Sequence, residues 1–355
     1  MKTILLASVS AFAFAGAAAA EVNLSGDATL GYNDNSGSYW DATVAVGFSQ
    51  ELDNGLTFAG SINFDIVDGN QGFIVGASDY EISLTTDTAG LYFGDIDTAT
   101  DVAFSTPDGM SVGLSDDFSY YVPNADPLLA GTWNDADAGI RGEVTFGGVS
   151  AYLSYGVNNN GDFTGLQVAA TGTFGQFEVG FGYQDADHED GEIFGVSAGA
   201  MFAGADIDLA YTSSDAEDSI GVGVSYGFGA VTVGGYYASN SVSFDEAGVD
   251  VAYSSGAISV AAYFDIVISD DDAIENASTF GVDASYDVGN GLTVLVGADS
   301  SDAGGDDYYV AATYDLGGGA EILVSYGVDD DNSADNEIGD PEYLAGATVE
   351  VSFSF

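Results

Sequence analysis

The chain has 355 residues, with 57 acids against 2 bases and a formal net charge of −55 at neutral pH. Nucleic-acid phosphates are bound through Lys and Arg, so nucleic-acid recognition is excluded. Cys is absent, so disulfides contribute nothing, and 46% hydrophobic with 13% aromatic residues is too apolar for the disorder that such acidity otherwise suggests.

In chain order, the first element is a targeting segment. Lys2 gives a basic start, Ile4 to Ala15 an apolar run, and Ala18-Ala19-Ala20 a small-residue cleavage site. A cleaved signal peptide over 1–20 is expected, with the mature chain starting at Glu21. Lys2 is one of the two bases, so Arg141 is then the only one left. Beyond Ala20 no apolar run reaches the ~20 residues that a membrane-spanning helix needs.

From Glu21 the dominant signal is alternation at period two. Val22, Leu24, Gly26, Ala28, Leu30 and Tyr32 share one face, and Asn23, Ser25, Asp27, Thr29 and Gly31 the other. Strands are expected near 22–32, 40–50, 56–66, 73–86 and 89–95. A segment of about 96–135, with Pro107, Pro123, Pro127, Trp133 and many acids, breaks the rhythm; a loop of that length in a compact fold is usually functional. Hairpins follow near 137–157, 164–184, 192–213, 218–238, 246–266, 278–299 and 306–328. A last strand fills 343–355, where Ala345, Ala347, Val349, Val351, Phe353 and Phe355 alternate with small or polar residues.

Short turns are expected at Asp53-Asn54-Gly55, Gly147-Gly148, Phe174-Gly175-Gln176, Ala203-Gly204-Ala205, Gly227-Phe228-Gly229, Ser255-Gly256, Gly289-Asn290-Gly291 and Gly317-Gly318-Gly319. Between them lie longer acidic loops, among them Asp185 to Asp190, Ser269 to Asp272 and Asp329 to Asn332. Short turns at one end and long loops at the other are the two sides of an outer-membrane barrel. Tyrosines and tryptophan recur at strand ends, at Tyr32, Tyr39-Trp40, Tyr80, Tyr152, Tyr155, Tyr183, Tyr236-Tyr237 and Tyr308-Tyr309, where interfacial girdles place them. The expected fold is therefore all-β, a single closed antiparallel transmembrane β-barrel over 21–355. The direct count is 20 strands, an even number that lets the first and last strands pair and leave no edge in lipid.

Four stretches then resemble the general diffusion porins of alphaproteobacteria. They are Glu21-Val22-Asn23-Leu24-Ser25-Gly26-Asp27-Ala28, Leu91-Tyr92-Phe93-Gly94-Asp95, Tyr314-Asp315-Leu316-Gly317-Gly318-Gly319-Ala320 and the terminal Phe355. The resemblance implies a homotrimer in outer-membrane lipid and lipopolysaccharide, a third loop folded inward as a constriction, and passive diffusion of small hydrophilic solutes. It also implies 16 strands, against 20 by direct count. Such porins usually set loop acids against a basic cluster on the facing wall, and here only Arg141 is available.

Rings of acids make pores prefer cations. By alternation Arg141, Glu143 and Thr145 face the lumen, as do Asp27, Asp41, Asp65, Asp208, Asp283, Asp287, Glu321 and Glu350. The expected constriction comprises Asp95, Asp97, Asp101, Asp108, Asp116, Asp117 and Asp126 with Arg141 and Glu143. No cofactor is expected. Asp270, Asp271, Asp272, Asp329, Asp330 and Asp331 offer hard oxygen ligands for Ca²⁺ or Mg²⁺, though none fits an EF-hand loop. An enzyme is not expected: His188 is the single histidine and sits in an acidic loop, and no nucleophile, base and acid form a recognisable set. The alternative to a cation-preferring channel is a non-conducting structural or adhesive barrel whose acidic loops bind divalent cations.

Overall fold

The computed structural model describes residues 21–69, 72–114, 138–157, 161–187, 191–269, 276–302, 305–328 and 343–355. The alternating segments become the strands β1 (Glu21–Asn33), β2 (Gly37–Glu51), β3 (Thr57–Gly69), β4 (Gly72–Thr85), β5 (Ala89–Gly94), β6 (Ala138–Phe146), β7 (Val149–Val157), β8 (Phe163–Phe174), β9 (Phe177–Gln184) and β10 (Ile193–Phe202). The second half holds β11 (Ala205–Ser214), β12 (Asp218–Phe228), β13 (Val231–Asn240), β14 (Asp245–Ser255), β15 (Ile258–Ile268), β16 (Ala277–Gly289), β17 (Leu292–Ser301), β18 (Gly305–Gly317), β19 (Ala320–Val328) and β20 (Gly346–Ser354). One short helix, α1 (Ala99–Ala103), follows β5.

Each strand pairs antiparallel with its chain neighbours, and β20 returns to β1, so the sheet of 20 strands is a closed ring. The direct count is therefore right, and the 16 strands implied by the resemblance are corrected: each of the seven hairpins after the long segment forms its own strand pair. At a strand spacing near 4.8 Å and a tilt of about 40°, such a ring has a backbone radius of about 20 Å, against about 16 Å for sixteen strands. The lumen is wide before anything folds into it.

The short turns fall where they are expected. Gly147 and Gly148 make a two-residue hairpin with φ of 60° and 84°, a left-handed geometry that a residue with a Cβ resists. The last strand starts later than expected, at Gly346; before it, Tyr343 is buried against Tyr309, the rings tilted by 43° with centroids 4.6 Å apart. The seam between β1 and β20 is fastened at both ends. Gly26 and Phe355 exchange backbone hydrogen bonds near one end. Near the other, the Asn33 side-chain amide donates to Thr348 Oγ1 at 2.9 Å, and the Ala347 N–H donates to Asp34 at 2.7 Å.

Burial is inverted relative to a soluble protein. Among the described residues the largest fully buried side chains are Gln167, Gln184, Asn33, Thr98, Thr100, Thr212, Ser154 and Ser219, while Leu30, Val144, Leu209, Ile220 and Val249 lie exposed on the outer face. A soluble sandwich would bury the second set; a barrel in hydrocarbon turns it outward. Aromatics band the hairpin end of that face, as at Phe146, Phe174, Phe202, Phe228 and Phe355. The girdle expectation needs correcting at Tyr152, which pairs with the inward Glu143, and at the adjacent pairs. Trp40, Tyr237 and Tyr308 face outward, and Tyr39, Tyr236 and Tyr309, one residue away, face the lumen. There they lie across glycines: a Cβ at Gly31, Gly248 or Gly297 would collide with the ring of Tyr39, Tyr236 or Tyr309 respectively. Their hydroxyls donate to Glu350, Asp265 and Asp283 at 2.7, 2.9 and 2.8 Å.

Candidate constriction loop and lumenal wall

The chain leaves β5 through Gly94 (φ 127°), where a Cβ would run into the Tyr80 carbonyl, and the Asp95 N–H donates to that same carbonyl at 2.8 Å. Thr98 caps α1, its hydroxyl accepting from the Asp101 N–H at 3.1 Å. The helix presses its first residues onto the inner wall. The Ala99 N–H donates to Ser154 Oγ at 2.9 Å, and Thr100 donates from both N–H and hydroxyl to Gln167 Oε1, at 3.3 and 2.6 Å.

The segment then crosses the wall where the wall has no side chains. The Phe104 ring lies over Gly182 and Gly195, and Pro107 and Met110 lie over Gly221. It is tied down again at its far side. The Asn240 amide donates to the Gly109 carbonyl at 2.9 Å, the Val112 N–H donates to Ser219 Oγ at 3.1 Å, and the Thr212 hydroxyl donates to the Val112 carbonyl at 2.6 Å. The loop thus runs along the interior from β6 to β13, held by buried polar side chains of the wall. Between its residues 103–108 and the wall is a cavity of about 420 Å³, to which Asp108, Glu178, Asp208, Asp250 and Tyr236 contribute.

Of the expected constriction acids, Asp95, Asp97, Asp101 and Asp108 are all exposed on the interior loop. Asp116, Asp117 and Asp126 lie outside the described residues, as do His188, Asp270, Asp271, Asp272, Asp329, Asp330 and Asp331. Among the described residues no three His, Cys, Asp or Glu side chains gather closely enough to hold a metal ion. Asp95 is held above the ordinary carboxylate value by a hydrogen bond with Asp79, then by partial burial and by the charges of Asp79 and Asp97.

Arg141 faces inward, as alternation predicts, yet it is 8% exposed and sits beneath the root of the loop. Its Nη1 donates to the Asp97 carbonyl at 2.5 Å, its Cζ lies 4.7 Å over the Tyr92 ring, and its Nη2 stands 3.9 Å from Glu143. Glu143 in turn accepts from the Tyr92 hydroxyl at 2.8 Å. Neither Arg141 nor Glu143 is a free charge on the pore.

Residues 6–336 match the model of a family described as Gram-negative porin. The chain belongs to the Gram-negative porin family. It is accordingly an outer-membrane, multi-pass β-barrel channel, of a family whose members are not enzymes. No curated protein is significantly similar to it. Among solved structures the porin is similar to engineered variants of the porin from Rhodopseudomonas blastica. One is 18% identical with a TM-score of 0.46, and another 20% identical with a TM-score of 0.45; each match covers 95% of this chain and 100% of the other.

Register places all the lumenal acids named from alternation on the inner face, and it adds others. Glu81, Glu178, Asp206, Asp250, Asp265 and Asp299 pair across strands with inward residues such as Ser61, Thr173, Ser225, Gly234, Gly248 and Gly281. The same period-two rule carried through every hairpin of the porin would have found them. The loop's anchors, Ser154, Gln167, Ser219 and Asn240, gave no sequence signal, since an inward polar residue looks the same whether it meets water or a loop.

Proposed function

We propose that this porin is a water-filled channel that prefers cations and passes small hydrophilic solutes by diffusion. The observation that carries the reading is the charge balance of the interior. The loop and wall present carboxylates to the lumen, while Arg141, the only base from Glu21 onward, is buried and already engaged by Glu143, Tyr92 and the Asp97 carbonyl. Without a free basic cluster there is no partner for a transverse field, and the summed potential of confined carboxylates attracts cations and repels anions. The homotrimer implied by the resemblance, set in outer-membrane lipid and lipopolysaccharide, belongs to the same reading.

Planar-bilayer recording across a salt gradient tests it. The reversal potential is expected to have the sign of cation preference, and the preference should weaken as salt screens the interior. An anion-selective potential overturns the charge argument and leaves the barrel intact. Absence of any conductance from correctly folded protein favours the non-conducting structural barrel instead.

A further inference from the structure

We propose that Arg141 is a positioning residue: it latches the root of the constriction loop to the barrel wall and contributes almost nothing to the charge of the pore. The inference rests on the channel reading above only in what the loop is for; the latch itself stands on geometry.

Three features single out this side chain. First, its placement is set by pairing. Arg141 on β6 lies directly opposite Tyr92 on β5, so the guanidinium settles over the ring face at 4.7 Å while the same tyrosine fixes Glu143 beside it. A guanidinium is planar and stacks on an aromatic face in a way that a lysine ammonium cannot reproduce. Second, the loop group it holds is a backbone carbonyl, that of Asp97, two residues before the buried start of α1. Every residue that follows along the wall inherits its register from this point. Third, it is the sole cationic donor available to an acidic loop facing an acidic wall. The other anchors are neutral hydroxyls and amides, so Arg141 supplies the one Lys or Arg charge set against the carboxylates at the root of the loop.

The porin has no cysteine, which makes a single introduced thiol an unambiguous reporter. Ala99 is fully buried between helix and wall, so in an Ala99→Cys background a water-soluble thiol reagent reacts only when the loop lifts. Adding Arg141→Gln is expected to speed modification roughly tenfold, as loss of a charged hydrogen bond implies, and to raise single-channel conductance while the cation-to-anion ratio barely moves. Arg141→Lys should fall between, since it keeps the charge and loses the stacked fork. Tyr92→Leu removes the shelf without changing net charge and should also speed modification; it carries the test if Arg141→Gln does not fold. Unchanged modification rates in folded Arg141→Gln and Tyr92→Leu barrels overturn the latch. So does a large swing in selectivity at unchanged rate, which makes Arg141 a pore charge. If modification speeds up in a barrel that conducts nothing, the latch stands and the channel reading falls, so the two fail separately.

Discussion

At the scale of single residues, the interior couples charge to proton binding. Asp95 lies past the end of β5, and its contact with Asp79 favours the protonated form. A raised native value means that the folded state binds this proton more tightly than the unfolded chain does. The resulting stabilisation is present at acid pH and is lost as pH rises through the raised value. Seen from the pore, Asp95 gives up its charge before an ordinary carboxylate does. Lowering the pH should therefore start to reduce cation preference above the usual carboxylate range, and Asp95→Asn should remove that first step while sparing the later ones. Reversal potential measured against pH in the two proteins checks it; superimposable profiles would mean that another acid titrates first. Arg141 shows where residue-level reading stops. Its inward direction follows from period two, since Ile140 and Val144 must face lipid. Its burial depends on a carbonyl 44 positions earlier that happens to fold over it, and no local pattern carries that information.

Among the elements, strands and turns were legible because each is dictated within a few residues. Alternation fixes which face meets lipid, and paired glycines or Asn-Gly fix where a hairpin reverses, as at Gly147-Gly148 and Asn290-Gly291. The helix α1 was not legible: five residues within an acidic, proline-containing segment carry no period, and only the Thr98 cap and the wall beneath stabilise it. Nor was the role of the wall glycines, which as sequence are merely weak strand residues. They form the bed of the loop, and filling the bed should displace it. At Gly195 a Cβ would stand 2.5 Å from Phe104 Cζ, so Gly195→Leu forces the ring away, at a cost of roughly 1–3 kcal/mol. The expected result is a larger and noisier conductance with barrel unfolding nearly unchanged. A conductance equal to that of the parent would show that the Phe104 contact does not hold the loop.

For the whole molecule, the decisive property is that two neighbouring residues inhabit different solvents. Leu209 and Asp208 are adjacent on β11, the first on the lipid face and the second lining the cavity beneath the loop. Arg at a mid-strand lipid-facing position costs about 2–4 kcal/mol, so Leu209→Arg should lower the unfolding free energy of the barrel in liposomes by that order, read as a lower denaturant midpoint. Asp208→Asn should leave the midpoint in place and reduce cation preference. The opposite assignment of effects would mean that the register of β11 is shifted by one residue. Strand number is also a property of the whole, and it shows the limit of family resemblance: the similar stretches at the start, before the loop and near the end say nothing about how many hairpins lie between them.

The seam between β1 and β20 also sets an order of events in time. Asn33 and Thr348, which meet there, are 315 positions apart in the chain, so this ladder forms only after nearly the whole polypeptide exists, and loop closure of that span is entropically unfavourable and slow. The first strand to be made must wait for the last. Until that ladder forms, β1 and β20 each keep one open edge, which hydrocarbon does not tolerate, so closing this seam completes the membrane-facing wall in a way that no other strand pair can.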